Sequence, residues 1–425
     1  MRAEHALRRA VVAEMHLRRW PRLCAPASVI QYLRLVGEGE AREAERVMLG
    51  RLAGGEPPAP GQRHLIGTVA PGVRFCWERH SEATTFTLFL EGSGPALAMR
   101  GDSGLAGLLD AAEALPGEVM RATRVVLVED EAAAGELLPG LGFLSADLVS
   151  CHVGGPGMAG PGARIWSDFA LRDDGFGVLL VAANGLRGHP LARAVQGLQE
   201  LGNYRNLALL GLPVAREGWA ALDGIERGLE AVSRDMARPE VTDDALLEEV
   251  SALSLRLVAH GAASDFRMGA AEAYAAIVEE RLAGLAVRPV PDHLSLADFT
   301  QRRLLPAVRT CAAHRRRAEQ LAERLARFVS LLRTRIETRI ENQNGRLLAS
   351  MERNSARQLR LQQLVEGLSV VALSYYAISL VGHVLDGAEA VLPGVHAGPW
   401  LAVLTPCTVA GVWLGLHVLK RRVLD

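Results

Sequence analysis

The densest polar constellation in this chain is Trp77-Glu78-Arg79-His80-Ser81-Glu82. Side chains alternate faces along a strand, so Glu78, His80 and Glu82 could project together as a metal-binding or acid/base group. If a turn begins at Arg79, the same residues are solvated and paired with arginine, and that structural role is the stronger expectation. His5, His16 and Arg18 could join this surface, while Arg9, Glu14 and Arg18 stand at helical spacing for ordinary ion pairs. A second polar set lies in an apolar background: Ser369, Ala372, Tyr376, Ser379, His383 and Asp386 fall within about a third of a helix circumference at 3.6 residues per turn. Helix packing is the plainer reading of this stripe. The sharper one is a water-accessible path lined by Ser369, Tyr376, Ser379, His383 and Asp386.

Other chemistry finds little support. Gly155, Gly157 and Gly160 match G-x-G-x-x-G, but Pro161, Gly162 and a strand-like ARIWSDFAL follow where a dinucleotide site needs a helix N-terminus. A loop is expected there. No Ser-His-Asp order, H-E-x-x-H, P-loop or catalytic carboxylate pair stands out, so neither an enzyme nor a cofactor is expected. Cys24, Cys76, Cys151, Cys311 and Cys407 are far apart, which argues against a disulfide framework or a cysteine-based zinc site.

The stripe sits in the first of two uncharged apolar runs, Gly367–Leu385 and Trp400–Leu419, joined by Asp386–Pro399. Each run makes a helix of roughly 28–30 Å, the thickness of a bilayer's hydrocarbon core. Arg353, Arg357 and Arg360 precede the first run and Lys420, Arg421 and Arg422 follow the second, whereas the connection has only Asp386 and Glu389. The positive-inside rule then puts both termini in the cytoplasm and the hairpin tip outside. Met1–Arg19 is charged and amphipathic, unlike a signal peptide. Gly411 and Gly415 offer a G-x-x-x-G packing face, and Pro406 predicts a kink.

With 425 residues, 49% hydrophobic, the chain has enough material for one or two further domains. Lys420 is the only lysine among 47 basic residues, a bias that fits a GC-rich bacterial genome. Gln301–Arg360 carries fifteen Arg and five Glu, a net +10; Leu361–Asp425 has three basic and four acidic residues, which leaves −10 for residues 1–300 against a chain total of −1. A basic stretch beside a membrane helix meets anionic lipid or acidic neighbours more readily than nucleic acid, so no nucleic-acid partner is expected.

The elements that must position these residues follow from periodicity. Glu4–Arg19 and Ala41–Leu52 read as helices; Val73–Trp77 and Thr84–Leu90 as a hairpin; Val125–Val128, Leu148–Val153, Arg164–Leu171 and Gly177–Val181 as further strands. Leu191–Leu210, Ala215–Met236, Asp243–His260 and Ala270–Leu285 read as helices, with breakers at Gly211–Pro213 and Arg238–Glu240. No proline interrupts the chain between Pro306 and Pro393, so one helix can run through the basic stretch into the first span. Leu325, Ile336 and Leu347 recur every eleven residues, as do Val329, Ile340 and Met351, a seam that calls for a partner helix. The expected fold is an α+β or α/β cytoplasmic head (1–190), a helical region (191–300), a long basic stalk helix (301–366), a two-span transmembrane hairpin (367–419) and a basic tail (420–425).

Several segments together resemble a family of uncharacterised bacterial membrane-anchored proteins known as a domain of unknown function: HALRRAVVAEMHLR at His5–Arg18, RFCWERHSEATTFT at Arg74–Thr87, WSDFALRDDGFG at Trp166–Gly177, VQGLQELGNYRNLALLGLP at Val195–Pro213, FRMGAAEAYAAIVEERL at Phe266–Leu282, LLPAVRTC at Leu304–Cys311 and ENQNGRLLASMERNSARQLRLQQLVEGLSVVALSYY at Glu341–Tyr376. The resemblance spans nearly the whole chain and implies a bacterial inner-membrane protein with no assigned activity. The chain departs from the family's pattern at Gly197, where the family has Arg, and at Gly202 and Asn203, where it has a more charged pair. The order of head, helical layer, long helix, short outer loop, second span and basic end also resembles the architecture of CorA-type cation channels, which are pentamers. Their Gly-Met-Asn signature is absent, since Val381-Gly382-His383-Val384-Leu385-Asp386 stands at the end of the first span. Two function classes follow: an oligomeric CorA-like ion channel or transporter acting on an inorganic ion, or a membrane-anchored scaffold or sensor whose head binds a cytoplasmic partner.

Overall fold

A computed structural model of the protein describes residues 5–8, 11–12, 19–92, 103–154, 162–389 and 397–424. His16, Arg18 and most of the expected first helix lie outside the described residues, as do Gly155, Gly157 and Gly160. The chain forms two compact units, Met1–Val241 with Glu248–Phe328, and Thr242–Leu247 with Val329–Asp425.

In the first unit, the strands are β1 (Ala27–Leu35), β2 (His64–Ala70), β3 (Val73–Arg79), β4 (Ala83–Glu91), β5 (Glu118–Val128), β6 (Val149–Val153), β7 (Ala163–Ser167), β8 (Gly177–Ala182) and β9 (Arg288–Pro289). They form one sheet in the order β2-β3-β4-β1-β5-β8-β7-β6-β9. Among the described strands, only β5 and β8 pair in parallel, so the sheet is mixed. Period-two alternation sorts it into two faces. Ile30, Tyr32, Phe75, Trp77, Phe86 and Leu88 pack with Leu49 of α1 (Glu40–Leu52) and Ala112 of α2 (Ser103–Glu113), and Val126, Val128 and Leu180 pack with Ala134 of α3 (Glu131–Leu137). The opposite face, with Val29, Leu33, Cys76, Phe89, Val125 and Leu127, packs on Leu191, Val195, Leu198 and Leu201 of α4 (His189–Leu209).

Three long helices complete the helical layer: α5 (Gly211–Asp235), α6 (Asp243–Gly284) and α7 (Leu296–Glu389). Ser295 caps α7, accepting from the Asp298 N–H at 3.1 Å and donating to the Asp298 carboxylate at 2.6 Å. From there 94 residues run without a break, through Pro306 and to the end of the first apolar run. At 1.5 Å per residue that is about 140 Å of helix. The helices expected at Asp243–His260 and Ala270–Leu285 are one element, because Gly261 and Gly269 are tolerated inside a helix packed along its length. Gly211–Pro213 does not separate its neighbours either; it forms the first turn of α5, where Pro213 needs no N–H partner. Strands β1, β2 and β9 are additions to the expected set.

The second unit holds the end of α7 and α8 (Ala397–Leu424), which continues through Pro406. Both carry apolar windows long enough to cross a membrane, and 6% of the first window and 0% of the second is buried within the chain. A core helix of a soluble domain shows the reverse. Along α7, every residue from Glu337 to Val365 is exposed.

Candidate functional site

In the apolar hairpin, helix geometry separates two sides of α7. Ser374 and Gly382 are buried, and Ile378, Val381 and Leu385 on the same side are half-buried. A Cβ added at Gly382 would lie 3.8 Å from Leu401 Cδ2, so this is the side that meets α8. The polar stripe is elsewhere. Counting 100° per residue, Tyr376, Ser379, His383 and Asp386 are centred roughly 140° away from the α8 contact. Tyr376 is 71% exposed, His383, Asp386 and Ala372 are exposed, and Ser369 and Ser379 are half-buried. His383 Nδ1 donates to the Ser379 carbonyl at 2.6 Å, and Ser369 Oγ to the Val365 carbonyl at 2.8 Å, which fixes both side chains against their own helix. Among the described residues, the stripe therefore faces away from α8. Among the described residues, nothing packs on Gly411 or Gly415, since a Cβ at either would meet nothing within 4 Å. Half-buried Leu401, Leu404, Thr405, Thr408 and Val412 share one side of α8 instead.

The head constellation divides among three neighbours. Strand β3 ends at Arg79, His80 N–H donates to the Ala83 carbonyl at 2.8 Å, and the chain turns into β4. Glu78 is buried under α4 and His80 is half-buried. Both border a cavity of about 10 Å³, beside Trp20, Thr85, Asn203 and Tyr204. The His80 ring stands edge-on to Tyr204, with Nδ1 3.4 Å from the phenol oxygen. Glu82 leaves this group for α6: it accepts from Tyr274 Oη at 2.9 Å and pairs with Arg267 at 2.6 Å. Burial and the Glu82 carboxylate push the Tyr274 phenol up to about 12. Arg79 pairs through its backbone N–H with the Arg63 carbonyl, at 2.8 Å. The arginine that neutralises Glu82 is Arg267, not the adjacent Arg79.

Two more residues complete the polar face of β3: His64, which the sequence reading did not single out, and Cys76, which it named only among the scattered cysteines. In the β2–β3 register His64 lies opposite Glu78, and Cys76 is its diagonal neighbour. His64 Nε2 is 3.5 Å from Cys76 Sγ and 3.7 Å from Glu78 Oε1. One donor atom from each residue falls within 4.8 Å of the others. Burial, and then the Glu78 charge, push the Cys76 thiol well up. The signal that could have found this trio was the second strand: reading β2 as antiparallel to β3 puts His64 across from Glu78.

Beside them, Arg121 is held by neutral acceptors, Gln199 Oε1 at 2.7 Å and Asn203 Oδ1 at 2.8 Å. Burial and the nearby Arg205 charge bring it down to about 9. A Cβ at Gly202 would stand 2.7 Å from the Arg121 Cζ, so the glycine is what admits the guanidinium under α4.

A family model described as "Protein of unknown function (DUF3422)" matches residues 3–423. No curated protein and no solved structure matches.

Proposed function

The chain belongs to the DUF3422 family, and from that premise we propose that it is a bacterial inner-membrane protein that self-associates on a CorA-like plan, with copies of its first span around an ion path. The observation that carries this reading is the position of the polar stripe, turned away from α8. Lipid cannot satisfy His383 and Asp386, so a second copy or water must meet them. Both termini are cytoplasmic in this reading, which the Arg and Lys residues flanking the two spans support. The exposed apolar seam of α7, with Ile340 50% and Met351 61% exposed in the single chain, supports association of the same helix between copies. Asp386 and Glu389 attract cations at the outer end. Arg335 and Arg339 are turned onto the buried Asp243, at 3.3 and 2.7 Å, which lowers their contribution to the field of the basic stretch.

Cysteine cross-linking tests this assignment. In a chain without native cysteines, Ser379→Cys is expected to give disulfide-linked oligomers in the membrane, and Val384→Cys, on the lipid side of the helix, is not. Equal cross-linking at both positions, or none at Ser379, would overturn the shared stripe and leave a membrane-anchored scaffold or sensor.

A further inference from the structure

We propose that His64, Cys76 and Glu78 form a binding site for a single thiophilic divalent cation, of the zinc class, on the α4-facing side of the β2–β3 hairpin. The residue types suit such an ion: imidazole, thiolate and carboxylate are the ligands zinc takes, and the sulfur disfavours magnesium and calcium.

The geometry separates chelation from catalysis. A cysteine–histidine–carboxylate relay uses the two ring nitrogens separately, one toward the sulfur and the other toward the carboxylate. Here a single nitrogen, Nε2, faces both, at 3.5 Å from Cys76 Sγ and 3.7 Å from Glu78 Oε1. Three donors converge on one point instead of forming a line. A tetrahedral ion with bonds of about 2.0–2.3 Å holds its ligand atoms roughly 3.3–3.6 Å apart, close to the 3.5 and 3.7 Å around His64 Nε2, while all three atoms lie within 4.8 Å of one another. Cys76 is only 1% exposed, which bars it from attacking a substrate but suits a structural ligand.

Charge balances on binding: the Cys76 thiol proton leaves to solvent, and one thiolate, one carboxylate and a 2+ charge sum to zero in a low-dielectric setting. Binding would tie edge strand β2 to β3 through side chains in addition to their main-chain pairing.

The test is cobalt(II) titration of the full-length, metal-stripped protein in detergent. One ion per chain is expected, with thiolate-to-cobalt charge-transfer absorption and the intense d–d bands of a four-coordinate ion, both displaced by zinc. Cys76→Ser is expected to abolish the charge-transfer band. His64→Gln and Glu78→Gln, which keep side-chain size, are expected to weaken cobalt binding at least about tenfold. Circular dichroism on each variant establishes that the sheet persists; should Cys76→Ser lose it, the two glutamine variants carry the test. Absence of a thiolate band in the native protein would overturn the site, as would a band that survives Cys76→Ser, or affinity unchanged in both glutamine variants.

Discussion

His260 and His314 meet Nε2 to Nε2 at 3.0 Å in the helical layer, beside the Trp219 ring. Burial, with a smaller contribution from His260, lowers the His314 pKa below its ordinary value of 6.5, against the opposing pull of Asp265. Between the folded and unfolded values the unfolded chain binds more protons, so stability rises with pH there. The contribution is complete above about 6.5 and is lost as pH falls below it. The apparent melting temperature is therefore expected to drop on acidification below that point, and less steeply in His314→Gln; equal slopes in the two proteins would contradict this. Arg34 makes a different prediction. Buried in β1, it donates to the carbonyls of Ala112, Glu113, Leu115 and Gly117 at the C-terminal end of α2. Arg34→Met leaves those acceptors buried and is expected to cost about 3 kcal/mol in chemical denaturation. A loss under about 1 kcal/mol would mean that water replaces the guanidinium. At this scale the sequence revealed the polar run Glu78, His80 and Glu82 but not its division. Alternation along β3 links Glu78 to His80, while Glu82 is claimed by Tyr274 and Arg267, 192 and 185 positions away in the chain.

Among the elements, α7 carries the clearest test. Ile340, Leu347 and Met351 are at least half exposed in the single chain, although their spacing is that of a packed seam. Burial against another helix contributes roughly 1.5–3 kcal/mol for each such side chain, and an unpaired carboxylate there costs more. The pair Ile340→Asp and Met351→Asp is thus expected to reduce the assembly's mass in light scattering without altering the head's circular dichroism. An unchanged mass would show the seam to be solvated. The long helix and the β3–β4 hairpin were legible because their periodicities are uninterrupted and their ends carry capping or turn residues. Strand β1 was not. Residues Ala27 to Arg34 are buried on both faces, so Ala27–Leu35 lacks the apolar and polar alternation of a half-exposed strand. Two of its polar members find their partners far away in the chain: Gln31 pairs with Thr87 and Asn203, and Arg34 with the end of α2. Edge strand β2 was missed for a related reason: its pairing with β3, and not its own composition, defines it.

For the whole molecule, orientation and conduction remain the two measurable quantities. A cysteine at Glu389 in a background free of native cysteines is expected to react with a membrane-impermeant thiol reagent in intact spheroplasts, and one at Asp425 only after lysis. The opposite pattern would invert the topology. The charge asymmetry and the two apolar runs were legible in the sequence, since they depend on composition alone. Which side of α7 meets α8 was not, because a polar stripe and a small-residue face on one helix compete for the same contact until the partner is in place. That contact is marked by Gly382, beside Leu401. The outward stripe is the central claim, and ion flux from liposomes containing the purified, oligomeric protein tests it most directly. With monovalent and divalent ions of both signs offered, the account predicts flux that His383→Leu and Asp386→Asn each lower at least about tenfold, by removing polar groups from the path. No flux from a verified oligomer, or flux that neither substitution changes, would contradict it.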